Sequence, residues 1–307
     1  MRTAIISHPF CRKHKMIADH PECPERLDAI TDRLLASGLD IAVQQKQAPK
    51  ALREHYLLAH DEALVSLVEN TLPEQGLVSL DGDTWLCPES FLAIERAVGA
   101  GLLAVDEILA DNLDAAFCSV RPPGHHANRT TSAGFCVFNN LAIAVKYAQS
   151  KGVKRIAIAD FDVHHGNGTQ EIFYNDETIL YASSHEYPLF PGTGSEQEVG
   201  KGNIFNATIK SGTEGKEFLK IFDQKILKYI DKFKPEIILI SAGFDAHTRD
   251  PLASINLESE DFYEITKRIV ELANIHSEGR IISFLEGGYD LLALSESIKH
   301  HLLALKN

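Results

Sequence analysis

No apolar run in the 307-residue sequence approaches the ~18 residues that a membrane-spanning helix requires. The apolar part of the opening stretch, Met1 to Ser7, is too short for a secretion signal and reads as a first buried strand. Cysteine is sparse, five residues with an odd count and no C-x-x-C pair. This excludes a disulfide framework and points to a reduced, cytoplasmic setting. The Asn-x-Thr triplets at Asn128, Asn167 and Asn206 then carry no glycosylation signal. Positive charge is short as well: 30 Lys and Arg stand against 43 Asp and Glu, a net charge of −13. A nucleic-acid partner would need a basic patch, so that balance argues against one. It suits a cationic substrate, although solubility alone would also account for it. Repeats, low-complexity tracts and Pro/Gly/Ser linkers are missing too. Nothing divides the chain, and residues 1–307 are expected to form one domain.

What is present is an alternation of apolar, β-rich runs with amphipathic stretches. Strands are predicted at Thr3–Ser7, Ile41–Gln45, Ala115–Val120, Arg155–Phe161, Ile179–Ser184, Ile204–Ile209, Glu236–Ala242 and Arg280–Leu285. Several are unbroken aliphatic runs, as a sheet buried on both faces requires. Helices are predicted at Pro24–Ser37, Pro88–Ala110, Asn139–Ser150, Glu214–Phe233, Ser259–Ser277 and Leu291–Leu305. The alternation implies an α/β fold, with a parallel sheet flanked by helices. Polar clusters follow Val120, Ala159, Ala242 and Leu285, at the carboxyl ends of four strands, where open α/β sheets bind ligands.

The cluster after Ala159 runs Asp160, Phe161, Asp162, Val163, His164, His165, Gly166. Residues two apart in an extended chain share a face, so Asp160, Asp162 and His164 point one way and His165, read as structural, the other. Two carboxylates and an imidazole that close together in a poorly solvated place need a cation. A further ligand is expected from another strand end, with Asp245 the best candidate and His247 a weaker one. An Asp/His/Asp donor set with an open position suits zinc; iron(II) or cobalt(II) also fits.

The cluster after Val120 is R-P-P-G-H-H, ending in His125 and His126. A lone histidine more often packs than reacts, but two adjacent ones on a proline-stiffened loop suit acid/base work on a metal-activated water. Each needs an orienting partner. Asp160 is the natural one for His125, and Asn167 can serve His126. The last cluster, E-G-G-Y, sets Tyr289 on a tight glycine turn, where its phenol can donate to a developing oxyanion.

Together, R-P-P-G-H-H, D-x-D-x-H-H-G-N-G-T, G-F-D and E-G-G-Y, in that order, resemble the histone deacetylase superfamily, of the class II and bacterial type. His20-Pro-Glu-Cys-Pro-Glu-Arg-Leu, Gly134-Phe-Cys and Phe190-Pro-Gly-Thr-Gly agree. The resemblance implies an arginase-like fold with an eight-stranded parallel sheet. It implies zinc on Asp162, His164 and Asp245, an acid/base pair of His125 and His126 with Asp160 behind it, and Tyr289 on the oxyanion. It further implies a tunnel between Phe135 and Phe190, with Leu252 near its mouth and the Gly134 carbonyl facing the substrate amide. A structural potassium ion near Asp160, the His164 carbonyl and Ser183 is implied as well. Asn167 is the class II residue where class I members tend to carry Asp. Leu252 stands where the polyamine-preferring vertebrate member carries an acidic gatekeeper.

The expected activity is therefore zinc-dependent removal of an acetyl or other small acyl group from an acylated lysine of a protein or peptide. An acetylpolyamine amidohydrolase is the alternative. A non-catalytic acyl-lysine binding module is weakened by the intact set of His125, His126 and Tyr289. An arginase-type binuclear manganese site would need more acids than the region around Asp245 supplies.

Overall fold

The central sheet strands are dominated by aliphatic residues, as strands buried on both faces require. A computed structural model describes residues 1–307 throughout. Its strands are β1 (Thr3–Ser7), β2 (Gln44–Gln47), β3 (Val78–Ser79), β4 (Trp85–Leu86), β5 (Ala115–Cys118), β6 (Ile156–Asp160), β7 (Ile179–Glu186), β8 (Ile204–Ile209), β9 (Ile237–Ala242) and β10 (Ile281–Leu285). Eight of them form one sheet in the order β2-β1-β5-β10-β9-β6-β7-β8. Every pairing in it is parallel. β3 and β4 make a separate antiparallel hairpin. One continuous apolar core joins the sheet to its helices. No helix is long and apolar enough to cross a membrane.

β5, β10, β9 and β6 are consecutive at the centre of the sheet and buried along their whole lengths. These four strands carry the four polar clusters. Residues far apart in sequence are thereby gathered at one edge, as the open α/β arrangement dictates.

Two of the predicted elements differ from expectation, and the helices Glu62–Thr71 and Asn167–Phe173 and the β3–β4 hairpin have no counterpart among those predicted. The strand predicted at Ile41–Gln45 begins only at Gln44, and Leu39–Ala42 is a helical turn that follows the left-handed Gly38. The Ile41 side chain is 87% exposed, so its aliphatic character has no packing partner to make it strand. The edge strand is the polar run 44–47, held to β1 by backbone pairing. The helix predicted over Glu214–Phe233 is interrupted: Gly215–Phe222 and Lys228–Phe233 flank a π-helical turn, Asp223–Leu227. Phe218, Phe222, Ile226 and Ile230 are all buried at four-residue intervals. A 3.6-residue helix would rotate such a series off its face, and the wider turn restores it.

Candidate active site

The loop after β5 is drawn tight by buried contacts. Arg121 is fully buried, pairs with Glu22 and donates to the carbonyls of Cys11 and His14. Gly124 lies against the backbone at Asn140, where a Cβ would collide. The backbone N–H groups of Gly124 and His125 donate to Glu286 Oε2 at 2.7 and 3.2 Å. The loop thus presents His125 and His126 with ring centroids 4.0 Å apart.

The two histidines have different partners and different electrostatics. His125 Nδ1 lies 3.2 Å from Asp160 Oδ2, and its Nε2 lies 3.8 Å from Asp162 Oδ2. Burial alone would lower its pKa, but Asp162, Asp160 and Glu286 outweigh that and hold it up to about 10. His126 Nδ1 lies 2.9 Å from Asn167 Oδ1. An amide oxygen only accepts, so Nδ1 carries the proton and Nε2 is left free. Burial, with the charge of His125 beside it, pushes His126 well below the ordinary value.

Asp162, His164 and Asp245 bring one ligand atom each within 4.8 Å of one another, and all three are buried. His164 Nδ1 lies 3.0 Å from Asp245 Oδ2 and 3.3 Å from Asp162 Oδ1. The remaining lone pairs are satisfied by backbone: Asp162 Oδ2 accepts from Gly287 N at 2.8 Å, and Asp245 Oδ1 from Val163 N at 3.0 Å. Burial and the adjacent Asp162 carboxylate both raise Asp245, so without a cation the pair resists full ionisation. Gly287 closes the cradle, since a Cβ there would strike the carboxylates of both Asp245 and Asp162. Two carboxylates and an imidazole nitrogen, pre-oriented and shielded from water, fit a divalent ion of the zinc type. His165 faces away, between Thr193 and Gln170. His247 also points elsewhere, accepting from Arg249 N with its other nitrogen toward Ser259.

A cavity of about 260 Å³ leads to this centre, lined by His126, Gly134, Phe135, His164, Leu189, Phe190, Leu252, Tyr289 and Asp83. Its walls are apolar aromatics. Phe190 packs on His126 with ring centroids 5.1 Å apart, and Phe135 on Tyr289 at 5.8 Å. Gly134 and Phe135 both have positive φ, 54° and 69°. A Cβ at Gly134 would strike the His126 ring, so only glycine lets the wall close this far. Burial, then the charge of Asp245, raises the Tyr289 phenol well above its ordinary value and keeps it protonated. Ser183 is directly across from Asp160 in the β6–β7 register.

Three acids here carry no assignment from the sequence. Glu286 is visible in E-G-G-Y, but its grip on the histidine loop depends on a fold contact. Asp250 accepts from the backbone of Tyr289 and Leu252. Asp83 lies on an ordinary-looking D-G-D turn of the small hairpin, and no local signal marks it as lining the cavity.

A family model described as Histone deacetylase domain matches residues 20–305. The chain belongs to the histone deacetylase family. As a member it is a deacetylase by lineage, and it shares 38% identity with a probable deacetylase of Archaeoglobus fulgidus across 95% of this chain and 82% of that one. It is 36% identical to the human polyamine deacetylase HDAC10 over 97% of this chain and 47% of that protein. Among solved structures, the HD domain of HDA15 superposes with a TM-score of 0.94 at 32% identity, covering 99% of this chain and 88% of that one. The histone deacetylase fold, with its eight-stranded parallel sheet, is therefore the fold of this chain.

Proposed function

We propose that residues 1–307 act as one metal-dependent deacylase domain that hydrolyses the amide of an acyl-lysine in a peptide or protein. One observation carries the reading: His126, His164 and Tyr289 line one narrow, largely apolar cavity, with His125 packed beside His126 and the carboxylates of Asp162 and Asp245 grouped with His164 in a three-residue cradle. Zinc, with iron(II) or cobalt(II) as substitutes, held by Asp162, His164 and Asp245, would supply Lewis acidity and a water of lowered pKa.

The chain's own residues account for the rest. Phe135 and Phe190 clasp the aliphatic stem of the substrate and exclude water, and the Gly134 carbonyl accepts the amide N–H. His126, neutral and with Nε2 free, takes the proton from the attacking water. Asn167 keeps its Nδ1–H in place. Tyr289 donates its phenolic proton in a hydrogen bond to the developing oxyanion. His125, held cationic by Asp162, Asp160 and Glu286 and oriented by Asp160, supplies positive charge and a proton toward the leaving amine. Leu252 shapes the mouth. Ser183, which pairs with Asp160 across the β6–β7 register, would join Asp160 and the His164 carbonyl at a structural potassium ion.

A second reading, an acetylpolyamine amidohydrolase, is favoured by Asp83. It is the only acid lining the cavity, its side chain is exposed at the mouth, and the whole chain is acidic. The deciding experiment is turnover by zinc-reconstituted protein of acyl-lysine peptides and of N-acetylated polyamines. Turnover of peptides alone supports the first reading, and preference for polyamines installs the second. Silence on both panels with metal bound defeats the enzymatic reading.

A further inference from the structure

We infer that Asp250 is a positioning residue for Tyr289, and that it sets the oxyanion donor and the tunnel wall in register with a single carboxylate. The inference rests on the reading of Tyr289 as that donor. Tyr289 sits on a stretch with no regular secondary structure, and the preceding Gly288 has φ 118°. A glycine turn of that kind has no side chain to lock it, so neighbours must hold it. On one side, Arg26 captures a carbonyl of the turn, its Nε donating to Gly288 O at 2.8 Å. Its guanidinium also lies 5.1 Å from the Tyr289 ring centroid. On the other side, the Tyr289 backbone N–H donates to Asp250 Oδ2 at 2.7 Å.

The other oxygen of the same carboxylate, Oδ1, accepts from Leu252 N at 3.1 Å. Asp250 is 7% exposed, and nothing assigns it to the metal cradle, which its neighbour Asp245 occupies. It therefore spends both oxygens on backbone N–H groups of two loops, each of which delivers one side chain to the cavity. Carboxylate acceptors in buried sites make the stronger hydrogen bonds, and a displacement of about 1 Å at a donor can cost on the order of 10²-fold in rate. An acid with two acceptor oxygens is needed here. An asparagine in its place would offer only one, and its amide nitrogen would face a second N–H donor.

The test is a double-mutant cycle on the metal-loaded protein. Asp250→Asn is expected to lower kcat by about ten-fold with a smaller change in KM, because the defect lies in the transition state. Metal content should match that of the unaltered protein. In a Tyr289→Phe background, the same Asp250→Asn change should alter kcat less than about two-fold, since its target is already gone. A ten-fold loss repeated in that background, or no loss in the Tyr289-containing protein, overturns the inference. Full activity of Tyr289→Phe alone removes the reading of Tyr289 itself and is recognised separately. Should Asp250→Asn fail to fold, as judged by thermal unfolding, Asp250→Glu keeps both acceptor oxygens but shifts them by a methylene, and the same cycle is expected, with the loss confined to the Tyr289-containing protein.

Discussion

The phenol of Tyr181 donates to Asp160 Oδ2 at 2.9 Å, the same oxygen that faces His125 Nδ1 at 3.2 Å. Asp160 Oδ1 accepts from Asp162 N at 3.2 Å. One fully buried carboxylate is thus fixed from a neighbouring strand and from its own loop before it meets the imidazole. Asp160→Asn removes one of the negative charges that hold His125 cationic, the one that its Nδ1 faces directly. A loss in kcat on the order of 10²-fold is expected, and Tyr181→Phe should cost less because the charge remains. Steady-state kinetics of both variants, with metal content measured alongside, check this. An Asp160→Asn protein with unaltered kcat would remove Asp160 from the mechanism.

Tyr289→Phe deletes one oxyanion donor and nothing else. Turnover of an acetyl-lysine peptide should fall by on the order of 10²-fold or more with little change in KM. Retention of full activity would defeat the role given to this phenol.

The proposed metal cradle should be sensitive to a single methyl group. Gly287→Ala places a Cβ against the carboxylates of Asp245 and Asp162. It should lower bound zinc as severely as Asp162→Ala, although no ligand is changed. Elemental analysis after dialysis against a weak chelator reads this directly. Stoichiometric zinc in Asp162→Ala would sink the ligand assignment, and stoichiometric zinc in Gly287→Ala would show that the cradle relaxes.

Asp83 is expected to separate substrates by charge. Its carboxylate lies 3.6 Å from His20 Nε2, and the turn is docked through Thr84 Oγ1, which accepts from Phe135 N at 3.1 Å. Asp83→Asn should lower kcat/KM for N-acetylcadaverine by about three-fold and leave the uncharged N-pentylacetamide unchanged, in line with a half-exposed ion pair. Equal effects on both compounds would rule out charge recognition at the rim.

Acid should destabilise the protein through its buried neutral histidines. His301 is fully buried, with Nδ1 2.6 Å from Thr266 Oγ1 and Nε2 2.9 Å from Ser283 Oγ. Burial lowers its pKa from 6.5 to about 3, and burial lowers His60 to about 4. The unfolded chain binds protons at these sites before the native state does. Stability is therefore complete above pH 6.5 and falls as pH drops toward 4 and below. Thermal unfolding against pH should show this slope, and His301→Gln should flatten it. An unchanged slope in that variant would place the acid sensitivity elsewhere.

Much was legible in the residues themselves. Unbroken aliphatic runs specify strands buried on both faces whatever lies beside them, so Ile237–Ala242 and Ile281–Leu285 could be read to within a residue. The period-two spacing of Asp160, Asp162 and His164 is a local property of extended chain, and so is the promise of a metal. Tertiary structure alone decided which strands are neighbours. β5, β10, β9 and β6 come together in an order unrelated to their order in sequence, and only that brings Asp245, the histidine pair and Tyr289 to one point. It also decided the work of Glu286, Asp250 and Asp83. A carboxylate's role is set by which N–H or cation faces it, and those partners come from loops up to 162 residues away in the chain. Ile41 marks the same limit from the other side: its aliphatic character favoured a strand, and the absence of anything to pack against left it in a helical turn.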